Sequence, residues 1–144
     1  MALLDVAPSV SEVECSAHPA VDHIDRPLTI AEVAERTGIG AHALRYYERV
    51  GLLDVPRDDA GRRRYGQVEV GRVVFISYLR ATGMPIRDLQ AYFALVAAGP
   101  GNERARLAIM QRHRDDVVTQ LAAAQTALNL IEAKIAIYGE RVGA

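Results

Sequence analysis

The chain of 144 residues has one cysteine, one lysine and no long apolar run. A lone thiol, Cys15, excludes an intrachain disulfide and any metal site built from several thiolates, and it suits a reducing cytoplasm. Cys15, His18 and His23 are too loosely spaced, and lack a fourth ligand, to predict a metal centre. Met1 to Asp25 has neither a basic start nor a sustained apolar segment, and no stretch of about eighteen uninterrupted apolar residues follows. The expectation is a cytoplasmic protein with no membrane partner. Enzyme chemistry is missing too: there is no pair of carboxylates, no nucleophile beside a base and no phosphate-cradling glycine loop. Gly99-Pro100-Gly101 reads as an interhelical hinge, so neither an enzyme nor a cofactor is expected.

The formal charge of -1 argues against a generally basic nucleic-acid binder. That average hides an uneven distribution, because residues 1–26 hold five acids (Asp5, Glu12, Glu14, Asp22, Asp25) and one arginine. The remainder has 16 basic and 13 acidic residues, net +3. Distribution bears more directly on DNA than the isoelectric point does. Sixteen of the 17 basic side chains are arginine, with Lys134 the exception. Arginine grips phosphate or guanine bidentately, but a chain rich in arginine and alanine is also what a GC-rich genome produces. The total is assigned to the genome, and only the placement of arginines carries functional weight.

Residues 1–26 mix Pro, Ser, acids and isolated valines without a period, which predicts a flexible acidic extension. Order begins at Leu28. Thr29 and Glu32 have capping-box spacing, Leu28 and Val33 that of a hydrophobic staple, and a helix is expected from Ile30 to a stop at Gly38. A second helix runs from Ala41 to Val50, ended by Gly51, with Leu52 folding back on the Tyr47 turn. Two short helices about a glycine-containing turn make a helix-turn-helix. Leu52 to Val55 and Arg63 to Tyr65 flank Pro56 to Gly61, whose Asp and Gly residues favour a β-hairpin wing. Helices are expected over Gln67 to Arg80, with Val70, Val73, Val74, Ser77 and Tyr78 on one face, and over Ile86 to Ala97.

The longest regular signal comes last. Leu107, Met110, Arg114, Val117, Leu121, Ala124, Leu128, Ile131, Ile135 and Tyr138 alternate spacings of three and four, with only Arg114 polar. This is a coiled-coil seam. A helix over Asn102 to Tyr138 would be about 55 Å long at ~1.5 Å per residue, too long for a head domain to cover its stripe. All the seam positions but Arg114 are therefore candidate dimerisation residues. The expected fold is mainly α. A winged helix-turn-helix head with a small β-hairpin wing spans residues 27–98, a coiled-coil dimerisation helix spans 101–140, and a short tail spans 141–144.

The chemistry gathers in the second helix and the wing. A helix docked in the major groove needs small residues at its leading end, then donors that reach bases or phosphates. His42, Arg45, Tyr46 and Arg49 are the candidates, while Leu44 and Tyr47 mark the inward side. Arg57 and the run Arg62-Arg63-Arg64 bracket the wing turn. Alternation sends Arg63 one way and Arg62 and Arg64 the other. Tyr65 closes the wing and completes the candidate DNA-contact set. Two functions stay open on these residues: a transcription regulator, and an architectural or excisionase-like protein that bends DNA without controlling a promoter.

Thr29 to Ala34, the Gly38-Ile39 turn, Leu44-Arg45-Tyr46-Tyr47-Glu48, Gly51-Leu52-Leu53 and Gly61 to Tyr65 resemble, in order, the head of MerR-family regulators. The resemblance covers about Leu28 to Leu95 and continues into that family's long dimerisation helix. It implies an antiparallel coiled-coil homodimer on a pseudo-palindromic site in double-stranded promoter DNA. It also implies that bending and untwisting an overlong spacer brings the promoter elements into register for RNA polymerase, an indirect partner. Arg45 and Tyr46 match the recognition-helix contacts and Arg63 the wing arginine. Gly40 and Arg62 depart from the family's usual Ser or Thr and its frequent wing tyrosine. The segment Arg106 to Tyr138, with His113-Arg114 and Ile131 to Ile135, resembles the small stress-responsive branch without a large effector domain. A small-molecule effector is left open.

Overall fold

The computed structural model describes residues 19–143. Cys15, His18 and the first part of the expected flexible extension lie outside the described residues. The chain divides into two compact units, one ending at Gly101 and the other beginning at Asn102.

In the first unit, α1 (Ile30–Thr37) starts where local chemistry demands. Thr29 Oγ1 accepts a hydrogen bond from the Glu32 amide at 3.2 Å, and the Glu32 carboxylate accepts one from the Thr29 amide at 3.1 Å. Two amides left orphaned by the first helical turn are thereby satisfied. Gly38, at φ 76°, stops the helix in the left-handed region. The second helix, α2 (Ala41–Arg49), packs on α1 and leaves Leu44 fully buried, as is Val33 of α1. It ends in a Schellman arrangement: Gly51 donates to the Glu48 carbonyl at 3.1 Å and Leu52 to the Tyr47 carbonyl at 2.9 Å.

Next come α3 (Gln67–Ala81) and α4 (Ile86–Ala97), divided by a Gly83-Met84-Pro85 corner. The buried side of α3 departs from the face expected of it. Val70, Val73 and Val74 are buried, but Tyr78 is 56% exposed, and burial continues through Ile76 and Leu79. A helix enclosed around much of its circumference has no single stripe, so spacing alone did not mark its outward side. Tyr92 and Phe93 of α4 are buried edge to face at 5.1 Å, with Phe75 of α3 6.2 Å from Tyr92. Gln90 Nε2 donates to the Val50 carbonyl at 2.9 Å and ties α4 to the end of α2.

Two further departures concern the ends of the head. Pro19–Val21, expected to be flexible, forms a 3-10 turn against α3 with Ala20 and Val21 buried. The Arg36 guanidinium donates to the Asp22 carbonyl just after it. Isolated apolar residues without a period can dock on a neighbouring helix, and that is what these two do. The expected β-hairpin wing has no regular ladder. Its strands are reduced to isolated bridges, Arg57 with Arg63 and Leu28 with Tyr65.

The second unit is one helix, α5 (Glu103–Val142), 40 residues long, or about 60 Å at ~1.5 Å per residue. Along its seam Leu107, Leu121, Leu128, Ile131, Ile135 and Tyr138 are 46 to 64% exposed. Met110 and Val117 are half-buried and Ala124 is exposed. Among the described residues no helix is long and apolar enough to cross a membrane.

The α1 cap yields a test. The Arg26 guanidinium, 2.6 Å away, and the Thr29 amide hold the Glu32 carboxyl at about 2, from an ordinary 4.5. A carboxyl lowered by folding contributes fully above its unfolded value, so this stabilisation is complete above pH 4.5 and fades as the pH falls towards 2. Thr29→Ala is expected to lower stability by about 1 kcal/mol in urea denaturation at neutral pH. An unchanged midpoint would show that the cap adds nothing.

Candidate nucleic-acid interface

The surface assembled by α2 and the wing begins with the spacing of α2. Leu44 and Tyr47, three apart, are buried, which turns His42, Arg45 and Arg49 outward, and all three are exposed. Arg45 forms no ion pair among the described residues. Tyr46 is half-buried, its ring 6.3 Å from Tyr47, and the Arg49 guanidinium lies 5.5 Å from its centroid. That cation–π contact steadies Arg49 while leaving its charge at the surface. At the leading end Gly40 caps α2 without any side-chain hydrogen bond. The helix N-terminus there is trimmed of bulk, at the expense of a capping hydroxyl.

The wing turn is built around Asp58. Its Oδ1 accepts from the Ala60 amide at 3.0 Å and the Arg62 amide at 2.9 Å. Its Oδ2 accepts from Arg62 Nε at 3.2 Å and Arg64 Nε at 3.1 Å. Gly61, at φ 78°, supplies the left-handed residue the reversal needs. One carboxylate thus performs much of the pairing that a longer β-ladder would otherwise provide. Across the bridge, Arg57 Nη2 and Arg63 Nε meet the two oxygens of Glu48, on α2, at 2.8 and 2.9 Å. The alternation expected of the arginine run is present: Arg63 turns to α2, and Arg62 and Arg64 turn to the wing's own Asp58.

The four wing arginines are unequally placed. Arg62 is 71% exposed and Arg57 44%, whereas Arg64 and Arg63 are at 31% and 26%. Tyr65 departs from its place in the candidate contact set. Its side chain is fully buried, because its backbone pairs with Leu28 and turns the ring into the core. The hydroxyl has no hydrogen-bond partner among the described residues, and burial raises its pKa above the ordinary tyrosine value. The ring has no surface to offer a ligand.

Glu48 and Asp58 were not among the sequence-derived candidates. A signal for Glu48 existed: an acid on the outer part of a helix meant to approach phosphates is unfavourable unless cations neutralise it.

The hub at Asp58 can be tested directly. The Arg62 amide first, then the neighbouring arginines and the Ala60 amide, hold its carboxyl below the ordinary 3.8. The contribution of Asp58 to the wing is therefore complete above that value and is lost only at more acid pH. Asp58→Ala is expected to speed hydrogen exchange at the Ala60 and Arg62 amides by at least an order of magnitude, with little change in the global unfolding midpoint. Unaltered exchange would mean that the turn holds itself.

Comparison with known proteins places this geometry. Residues 28–95 match the MerR HTH family regulatory protein model. An uncharacterized HTH-type transcriptional regulator of Haemophilus influenzae is 32% identical over 111 residues, covering 76% of this chain and 82% of that protein. Among solved structures, HiNmlR is described as a MerR family regulator lacking the sensor domain and bound to promoter DNA. It aligns with a TM-score of 0.74 at 30% identity, over 82% of this chain and 96% of its own. A MerR-family transcriptional regulator from Bacillus thuringiensis aligns at 0.70 and 26% identity, over 76% and 97%. By sequence and by fold, the chain belongs to the MerR family of helix-turn-helix transcriptional regulators.

Proposed function

We propose that this regulator works as a homodimer on a pseudo-palindromic promoter operator and controls transcription by distorting an overlong spacer. The observation that carries the DNA-contact assignment is the shared placement of Arg45 and Arg49 on exposed α2 and of the arginines on the wing that Glu48 joins to it. Arg45 and Tyr46 address base edges or the phosphates beside them, His42 and Arg49 flank them, and Arg57, Arg62, Arg63 and Arg64 address the backbone. Tyr65 supports the wing from within. HiNmlR, similar over most of its length, was crystallised on promoter DNA without a sensor domain, which supports the same partner here and a place in the small branch without a large effector domain. RNA polymerase is reached through the promoter, in the cytoplasm where the DNA is. An effector of small size remains compatible.

Dimerisation rests on the exposed stripe of α5. Six large apolar side chains at heptad positions, each at least 46% exposed, suit a second copy of the same helix. Domain limits follow the same logic: a DNA-reading head over residues 27–98, on which the Pro19–Val21 turn also docks, and a dimerisation helix over 101–140, with the helix continuing to Val142 into the expected tail of 141–144.

The experiment is transcription with purified polymerase from an overlong-spacer promoter identified by genome-wide footprinting. The wild-type protein is expected to footprint two half-sites and change the output. Arg45→Ala is expected to weaken the footprint at least tenfold in affinity while remaining dimeric by light scattering. Leu128→Asp is expected to be monomeric and inactive. An occupied promoter with unchanged output would turn the assignment to an architectural DNA-bending protein, and a dimeric Leu128→Asp would refute the seam.

A further inference from the structure

Three wing arginines are held in the same way. Arg62 and Arg64 reach Asp58 through Nε, and Arg63 reaches Glu48 through Nε. A guanidinium has five N–H donors in a planar fork, and a carboxylate can take it end-on through two terminal nitrogens or side-on through Nε. Gripping at Nε uses the inner part of the fork, and among the described residues the terminal nitrogens of Arg62, Arg63 and Arg64 make no hydrogen bond within the protein. That outer pair is the one that meets a phosphate bidentately. Arg57 is held differently, through Nη2 on Glu48 at 2.8 Å and Nη1 on the Gly61 carbonyl at 3.2 Å, so both its terminal nitrogens are engaged.

Glu48 stands apart from Asp58 because of the element it occupies. Asp58 belongs to the wing and orders the wing alone. Glu48 belongs to α2, one residue from Arg49 and three from Arg45, and its two oxygens hold Arg57 and Arg63 on opposite sides of the wing bridge. It is half-buried at 21%, so water does not fully screen it. A lone carboxylate on this face would repel the DNA backbone. Shared between two guanidiniums it becomes part of a group with net charge +1 in which the terminal nitrogens of Arg63 stay unengaged.

We propose that Glu48 is a positioning residue for DNA binding, fixing the wing to the recognition helix and aiming the outer nitrogens of Arg63 at a phosphate. Glu48 itself touches no DNA. Its effect passes through Arg63 and, for the bridge geometry, through Arg57. The inference rests on the assignment of α2 and the wing to DNA.

Charge alone and positioning make opposite predictions for Glu48→Gln, which keeps the shape and removes the charge. If Glu48 is merely a negative charge near phosphates, the variant binds DNA more tightly. If it positions Arg63, the variant binds more weakly, because a neutral amide holds guanidinium poorly. The test uses the full-length protein and a fluorophore-labelled, mixed-sequence duplex several helical turns long, since phosphate binding does not depend on sequence. Affinity is measured across a salt series, with circular dichroism and the urea midpoint as controls on folding. Glu48→Gln is expected to weaken binding roughly five- to tenfold and to flatten the salt slope by ~0.9 for each phosphate that the protein no longer neutralises. A loss of fold alone does not produce that slope at an unchanged urea midpoint. In an Arg57→Ala, Arg63→Ala background the same substitution is expected not to weaken binding further, the non-additivity of a coupled group. Equal or tighter binding by Glu48→Gln, or a full additional loss in the double-arginine background, overturns the proposal while leaving the DNA-binding assignment intact. Failure of the wild-type protein to bind the duplex overturns both.

Discussion

Leu28 and Tyr65 exchange both backbone hydrogen bonds, at 2.7 and 2.8 Å, and the rest of the head hangs on that pair. It is an isolated bridge with no further rungs. Its strength comes from its side chains, both of which are buried, Tyr65 completely. The pair closes a loop of nearly forty residues, and closing a loop of that length carries an entropic cost that grows only slowly with its size. Everything proposed to read DNA lies inside the loop: the capped α1, the recognition helix α2, and the wing with its arginines. With the bridge made, the wing begins and ends on the same body as α2, and Glu48 can reach across. Without it, the wing would be held to the head only by its buried flank Leu52, Leu53 and Val55 and by its continuation into α3.

Within that loop the electrostatic problem is crowding. Arg57, Arg62, Arg63 and Arg64 fall within eight residues, and like charges so close repel. Two carboxylates resolve it by taking two guanidiniums each. Exposed ion pairs stabilise folded proteins little, so their value here is geometric. They hold long, flexible side chains in place, and at Arg62, Arg63 and Arg64 the grip is at Nε, which leaves the terminal nitrogens unengaged. A chain of net charge -1 can in this way present a concentrated cationic edge, and the acidic residues responsible for lowering the average include the ones that organise the edge.

What could be read from sequence follows from how local its cause is. The Thr29 cap and the Gly38 and Gly51 stops each depend on a few adjacent residues, and all stand where local chemistry puts them. The stripe of α5 was legible because one spacing repeats from Leu107 to Tyr138, most of the helix. Tyr65 was misassigned because a wing motif says which residues are close in the chain, whereas the ring's burial depends on Leu28, far away in sequence. Tyr78 failed similarly, since α3 is covered from several sides. Ala20 and Val21 gave no periodic signal at all, and only a docking surface on α3 shows their purpose. Glu48 was hidden by its own chemistry: an acid beside recognition residues looks solvated until its two arginine partners arrive from nine and fifteen residues away.

The local stiffness of the wing matters because of what the proposed function demands of it. Bending a site of a few turns costs of order 1–6 kcal/mol of elastic energy, and that cost is met by contacts at both ends of the deformed segment. In the proposed dimer two heads held by one coiled coil would act on the same duplex, so the second contact would be intramolecular and its effective concentration high. Such an arrangement distorts DNA only if the protein is the stiffer partner. An arginine on a loose wing would follow the phosphate to its relaxed position, binding it without moving it. On the proposed reading, an arginine held at Nε by a carboxylate anchored in the recognition helix would make the phosphate come to the protein, and the strain would then appear in the DNA.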